Sequence, residues 1–210
     1  MNDCIVLAGG DQPLDSARHH LPLGALVIAA DSGFEHAKFL GLHVDLVIGD
    51  MDSISSIEEL SETRRIVHPV DKDQTDLELA LRHAVHEEHC NRIFLVGGIG
   101  GRFDHTVTNL GLIAAEWLAG VDLEWIAGTA KIRIVRDEVT IKGDPLELVS
   151  LIPIGGTAQG VTTSGLRWEL DNEDLLFGST RGTGNLLIET DAIIQVRSGI
   201  LALIRPSAIS

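Results

Sequence analysis

Apolar and polar positions divide this chain into two stretches of different rhythm. Up to about residue 128, short runs that are apolar throughout alternate with stretches of helical period. The runs are CIVLAGG, ALVIAAD, DLVIGD, RIVHPV, RIFLVGG and DLEWIAG, and between them lie GFEHAKFLG, DLELALRHAVHEEH and DHTVTNLGLIAAEWLAG. A strand that is apolar on both faces must be covered on both faces, so the alternation predicts βαβ units around a mainly parallel sheet. From about residue 129 the pattern changes to KIRIVRDEVTIKG, LELVSLIPI, TAQGVTTSG, GNLLIET, AIIQVRSG and ILALIRP, short strands cut by Gly, Asp and Ser turns. Without a helical pattern among them, they predict a small antiparallel sandwich or barrel.

Two helix starts carry local signals. Thr75-Asp-Leu-Glu78 has the form of a capping box, with Thr75 as N-cap and Glu78 reaching back. The helix that follows would bury Leu77, Ala80, Leu81, Ala84 and Val85. Asp104 is placed to cap a helix running to about Ala119, with Gly120 as its stop.

Composition narrows the class. At 210 residues the chain suffices for one large domain or two small ones, and 44% hydrophobic with 22% charged residues is ordinary for a soluble protein. No apolar run approaches the roughly 20 residues of a membrane span. The opening MNDCIVLAGG has an acid where a secretory leader would carry basic residues. A cytoplasmic protein with no membrane partner is expected, with Cys4 and Cys90 as reduced thiols outside any metal pattern. The net charge of −15 leaves no basic surplus to neutralise a phosphate backbone, so nucleic acid is not an expected partner. A phosphorylated small molecule stays compatible, because a bound metal ion inverts the field of an acidic cleft.

In a doubly wound sheet, ligands bind at the carboxyl ends of the strands. Asp31 follows LVIAA, Asp50 and Asp52 follow DLVIG, Asp71, Asp73 and Asp76 follow the strand ending near Val70, and Arg102 and Asp104 follow IFLV within GGIGGRFDH. A single Asp in such a turn is ordinary turn chemistry. Five or six on one edge, with a D-x-D among them, point instead to a hard divalent cation, since crowded carboxylates otherwise raise one another's pKa. Mg²⁺ suits oxygen ligands shared with substrate phosphates. GGIGGR lacks the last glycine of a dinucleotide fingerprint and the Lys-Ser/Thr of a Walker loop. It reads either as a tight turn or as a loop aiming N–H groups and Arg102 at phosphate. His83, His86 and His89 step by three along one helix, a row that the spiral carries onto the wet face rather than into a metal site. Trp168, in TTSGLRWEL, suits either the sandwich core or a face for a flat cationic ring.

With these residues assembled, the chain resembles the thiamine pyrophosphokinase (thiamine diphosphokinase) family over nearly its whole length. ADSG at 30–33 is similar to that family's A-D-G-G turn, GDMDSI to its G-D-x-D-S-I, and DKDQTDLELAL to its D-x-D-x-T-D-x-x-x-A-L. GGIGGRFDHTVTN resembles its G-G-R-x-D-H segment, TTSGLRWEL its T-T-x-G-L-x-W, and GTGN stands where the family has G-T-S-N. The resemblance implies an α/β ATP-binding domain with a mainly parallel, Rossmann-like sheet over 1–128, and an all-β sandwich domain that binds thiamine over 129–210. It implies a homodimer with active sites at the subunit interface, transferring diphosphate from ATP to the thiamine hydroxyl and releasing AMP. Asp50, Asp52 and Asp76 would hold Mg²⁺. Asp31, Lys72, Asp73, Arg102, Asp104 and Asn109 would line the nucleotide and diphosphate site, and Trp168 would stack on thiamine beside Gly184 and Asn185. Arg102 would neutralise charge and Asp104, or a metal-held water, would take the alcohol's proton. Ser32 and Gly184 depart from the family pattern. The rival readings are a diphosphokinase for another alcohol, such as a pterin, and a non-catalytic nucleotide- or thiamine-binding module.

Overall fold

The computed structural model describes residues 2–51 and 63–209. Asp52 therefore lies outside the described residues. The chain forms two units: one takes in residues up to 112 together with 120–128 and 209, the other takes in 113–119 and 129–208.

The first unit contains strands β1 (Asp3–Leu7), β2 (Leu26–Ala30), β3 (Leu46–Gly49), β4 (Arg64–Val67), β5 (Arg92–Val96) and β6 (Asp122–Ala127), with helices α1 (Gly33–Phe39), α2 (Asp76–His86) and α3 (Phe103–Ile113). The strands pair in parallel in the order β6-β5-β1-β2-β3-β4. Successive side chains point to opposite faces of a strand. One set, Ile5, Leu7, Val27, Ala29 and Val47, shares a core with Phe34 and Ala37 of α1. The alternate residues Val6, Ile28, Leu46 and Ile48 are just as buried, which is what runs apolar on both faces require. Leu77, Ala80, Leu81 and Ala84 of α2 are buried too, and that helix packs on β1, β2 and β3.

The chain builds outward from β1 through β2, β3 and β4, then returns to lay β5 and β6 on the other side of β1. Loops after β1 and β5 thus leave in different directions, opening a crevice at the carboxyl ends of the strands.

Two local expectations are corrected. Thr75 caps α2, its hydroxyl accepting the Glu78 N–H at 3.2 Å, but the Glu78 carboxylate accepts from Arg82 Nε at 2.8 Å instead of turning back. Half of the capping box forms, because the i,i+4 cation competes for the acid. Asp104 sits inside the first turn of α3, not at its N-cap, and is taken by the Arg102 guanidinium. Nor does that helix reach Ala119. It stops at Ile113, Ala115 is extended (φ −60°, ψ 145°), and a 3-10 turn follows at Glu116–Leu118. The freed carbonyls of Ala114 and Ala115 accept from Arg136 Nη2 at 2.5 and 3.0 Å, which satisfies the break.

The second unit is antiparallel. Its strands are β7 (Ala130–Val135), β8 (Glu138–Lys142), β9 (Leu148–Pro153), β10 (Ala158–Ser164), β11 (Glu173–Leu175), β12 (Asn185–Leu186), β13 (Asp191–Gln195) and β14 (Leu201–Arg205). They form two layers, β12-β9-β14-β7 and β11-β10-β13-β8. Val135, Leu151 and Leu203 of the first layer share one core with Ile141, Val161 and Ile194 of the second.

Candidate functional site

A cleft of about 580 Å³ opens at the carboxyl ends of the first unit's strands. Its wall is built from strand-end loops: Ala8–Gly10 after β1, Asp31 and Ser32 after β2, Asp50 after β3, Lys72 and Gln74–Leu77 ahead of and into α2, and Gly98–Arg102 after β5. Val70 adds to this wall, and His105 and Asn109 of α3 complete it.

The acidic side is tightly drawn. A Cβ on Gly49 would lie 3.0 Å from Asp31 Cβ and 3.3 Å from Asp76 Cγ, so glycine here lets the two acids approach across the end of β3. Two non-glycine residues flank it in the left-handed region, Asp31 at φ 44° and Met51 at φ 68°. Such conformations persist only where the surroundings enforce them, and they collect at functional sites. At Met51 the reason is visible. Its side chain is buried in the same core as Phe34, while its neighbour Asp50 stays at the cleft.

Lys72 spans the acids. Its Nζ lies 3.0 Å from Asp76 Oδ1 and 3.7 Å from Asp50 Oδ2, and donates to the Pro69 carbonyl at 3.0 Å. Burial pulls the Lys72 ammonium's pKa down, but the Asp76 and Asp50 carboxylates outweigh it and hold the pKa above the usual lysine value. Asp76 Oδ1 is buried, with the ammonium 3.0 Å away as its charge partner. Two hard carboxylate oxygens on one cation suit Mg²⁺, which takes one or two carboxylates and leaves the rest of its shell to water and phosphate. Among the described residues no group of three or more His, Cys, Asp or Glu forms a closed metal cage. In the histidine row, His83 Nε2 is 3.2 Å from Glu88 Oε1, and His86 and His89 are exposed.

The opposite wall is glycine-rich and pinned from behind. Asn109, buried, donates from Nδ2 to Gly98 O at 2.8 Å, and Trp125 Nε1 donates to Gly97 O at 2.7 Å. His36, buried in α1, holds the first loop through Nδ1 and Ala8 O at 2.8 Å; the carbonyl accepts, so this nitrogen carries the proton. Arg102 stands at the rim, 71% exposed, and its guanidinium holds the Asp104 carboxyl below the usual carboxylate range.

The cleft thus gathers Asp31, Asp50, Lys72, Asp76, Arg102 and Asn109. Asp73 is exposed and outside its wall, and Asp104 reaches it only through Arg102. Met51, His36 and Trp125 were not foreseen. An apolar residue between two acids is the one signal that could have marked Met51; nothing local marks the other two.

The second unit has a pocket of about 410 Å³ walled by Leu151, Trp168–Leu170, Thr180–Thr183 and Asn185. Trp168 is 57% exposed, which excludes the core reading, and Arg167 lies over its ring at 5.1 Å. Asn185 is buried and its amide is spent on the tryptophan's backbone: Oδ1 accepts from Trp168 N at 3.1 Å and Nδ2 donates to Trp168 O at 2.8 Å. It positions the indole. Gly184 lies beside the pocket, its N–H donating to Ser150 Oγ at 3.0 Å. Arg181 pairs with Glu173.

A parallel α/β unit with a glycine loop and hard-oxygen donors at its switch point is the architecture of domains that handle phosphate esters. Residues 19–121 match the model of the thiamin pyrophosphokinase catalytic domain, and residues 131–201 that of the thiamin pyrophosphokinase vitamin B1 binding domain. The thiamine pyrophosphokinase of Bacillus subtilis is 30% identical over 190 residues, covering 86% of each protein. Its crystal structure superposes with a TM-score of 0.87 at 28% identity, over 98% of this chain and 99% of that one. Thiamine pyrophosphokinase 1 of Arabidopsis thaliana is 32% identical over 174 residues, 75% of this chain. The chain spans 63% of that plant relative's length. This chain belongs to the thiamine pyrophosphokinase family.

Proposed function

We propose that the chain is a Mg²⁺-dependent thiamine diphosphokinase: diphosphate passes from ATP to the thiamine hydroxyl, giving thiamine diphosphate and AMP. The observation that carries this reading is the convergence of Asp50 and Asp76, from separate loops, on one cation in a glycine-walled cleft. Residues 1–128 act as the ATP domain, and 129–210, a β-sandwich, as the thiamine domain. No helix among the described residues is long and apolar enough to cross a membrane; the reading places the enzyme in the cytoplasm.

In this reading Asp50 and Asp76, with Asp52, hold Mg²⁺, which supplies charge neutralisation and polarisation of phosphate oxygens. Asn109 and Trp125 fix the glycine loop so that its N–H groups face the phosphates without reorganising. Asp31, Lys72 and Arg102 line the nucleotide and diphosphate site, Arg102 as a guanidinium able to leave Asp104 for a phosphate; Asp73, exposed, serves only at its margin. Trp168 offers its free ring surface to a cationic heterocycle, and Asn185 sets the indole's position. The alcohol oxygen bonds to the β-phosphorus as the β-phosphorus–bridging oxygen bond breaks in line, and AMP leaves with that oxygen. Once Arg102 turns to the phosphate, Asp104 is left as a carboxylate at the rim, and it or a water molecule takes the alcohol's proton.

The test is to incubate the protein with ATP, Mg²⁺ and thiamine and to follow AMP and thiamine diphosphate. Asp76→Asn should lower kcat by on the order of 10³ with an unchanged circular dichroism spectrum. AMP formed only with a pterin or other alcohol would transfer the activity to that acceptor. No AMP with any acceptor would make the chain a binding module.

A further inference from the structure

We propose that Lys72 is a resident counter-cation: it holds Asp50 and Asp76 together while the cleft is empty and vacates their oxygens when metal and nucleotide arrive together. The inference rests on the metal-site reading above and adds a coupling between the two ligands.

Asp50 ends a strand and Asp76 begins a helix, so nothing covalent keeps their carboxylates close. Two acids converging without a cation would repel, spreading the loops or forcing one of them to take a proton. Lys72 prevents this from one residue position, i,i+4 with Asp76, at 3.0 Å from Asp76 and 3.7 Å from Asp50. Its ammonium does not swing freely, because the Pro69 carbonyl accepts from it at 3.0 Å and the side chain is 13% exposed.

A divalent ion held by the same two carboxylates at roughly 2.0–2.1 Å would stand close beside the ammonium. Two cations that close repel, so a metal arriving alone must displace the ammonium from the Asp50 and Asp76 carboxylates and forfeit that attraction. When nucleotide is present, phosphate oxygens in the same cleft receive the ammonium. A lysine suits this exchange, being a point charge on a flexible stem, where an arginine fork is bound by its plane. Metal and nucleotide should therefore bind cooperatively, and the coupling should run through Lys72.

The experiment titrates the full chain with Mn²⁺, read by electron paramagnetic resonance, with and without a non-hydrolysable ATP analogue. Lys72→Met keeps the stem and removes the charge. It should bind Mn²⁺ alone about tenfold more tightly than the wild type, and the gain on adding nucleotide should fall to about twofold. Its metal-free Tm should drop and recover with millimolar Mg²⁺. Lys72→Arg, which keeps the charge, should retain weak metal binding and serves as the folded control if the methionine variant misfolds. Unchanged or weaker Mn²⁺ binding in Lys72→Met, or Mn²⁺ binding by Lys72→Arg as tight as that expected for Lys72→Met, would overturn the proposal. Asp76→Asn separates the two levels: if it binds Mn²⁺ as the wild type does, the metal-site reading itself has failed.

Discussion

At Gly184 the backbone turns through φ +76°, and a Cβ built there would meet no heavy atom within 4 Å. This glycine is thus constrained by conformation and not by space. Gly184→Ser should cost about 1–2 kcal/mol from the left-handed backbone alone, seen as a lower Tm. Its hydroxyl would enter open space, so the KM for thiamine should change less than about twofold. A much larger fall in KM would show that the hydroxyl finds the substrate after all. The same scale explains why Asn185 and Trp168 act as a pair, since one amide holds the N–H and the carbonyl of the residue it serves.

At the scale of the element, α2 carries chemistry at its first residue. Thr75 caps the helix and Asp76 follows it immediately, so fraying of that turn displaces a proposed metal ligand. Thr75→Ala should cost about 1 kcal/mol and raise the Mg²⁺ concentration needed for half-maximal activity several-fold, whereas Thr75→Ser should restore both; unfolding and Mg²⁺ titrations read the two effects. The cap was legible in the sequence because an N-cap is decided within four residues. So were β1, β2, β3 and β5, whose continuous apolar runs admit few other arrangements. What could not be read was decided at longer range. The break that ends α3 is satisfied by Arg136, more than twenty positions away, although apolar periodicity continues through LIAAEWLAG. β11 is three residues, Glu-Asp-Leu, with one buried side chain and no period to detect. At the site, the sequence placed the acids on one edge, but the bridging of Asp50 and Asp76 by Lys72 depends on loop geometry that no spacing encodes.

For the whole molecule, the proposed homodimer finds support in apolar groups left exposed in each unit. Phe103 and Val107 on α3 are 78% and 56% exposed, and Phe177 in the second unit is 67% exposed. If each active site joins the first unit of one subunit to the second unit of its partner, two dead variants should complement. Asp76→Asn mixed with Trp168→Ala, after subunit exchange, should recover about a quarter of wild-type activity, because half of randomly paired dimers are mixed and each keeps one intact site. No recovery despite exchange would place each site within a single chain.

The strand order has a further consequence during synthesis. β1 leaves the ribosome well before β5, yet one of its two edges is filled only by β5, which places Asp3 opposite Arg92. Until that segment has emerged, a nascent chain carrying β1 to β4 displays an unpaired edge whose side chains, Cys4 to Leu7, are all apolar. Translation stalled before Arg92 should therefore yield a sticky intermediate with an incomplete glycine wall, dependent on holdase chaperones. The segment that covers this edge runs directly into the glycine wall, so protection from aggregation comes just before completion of the cleft.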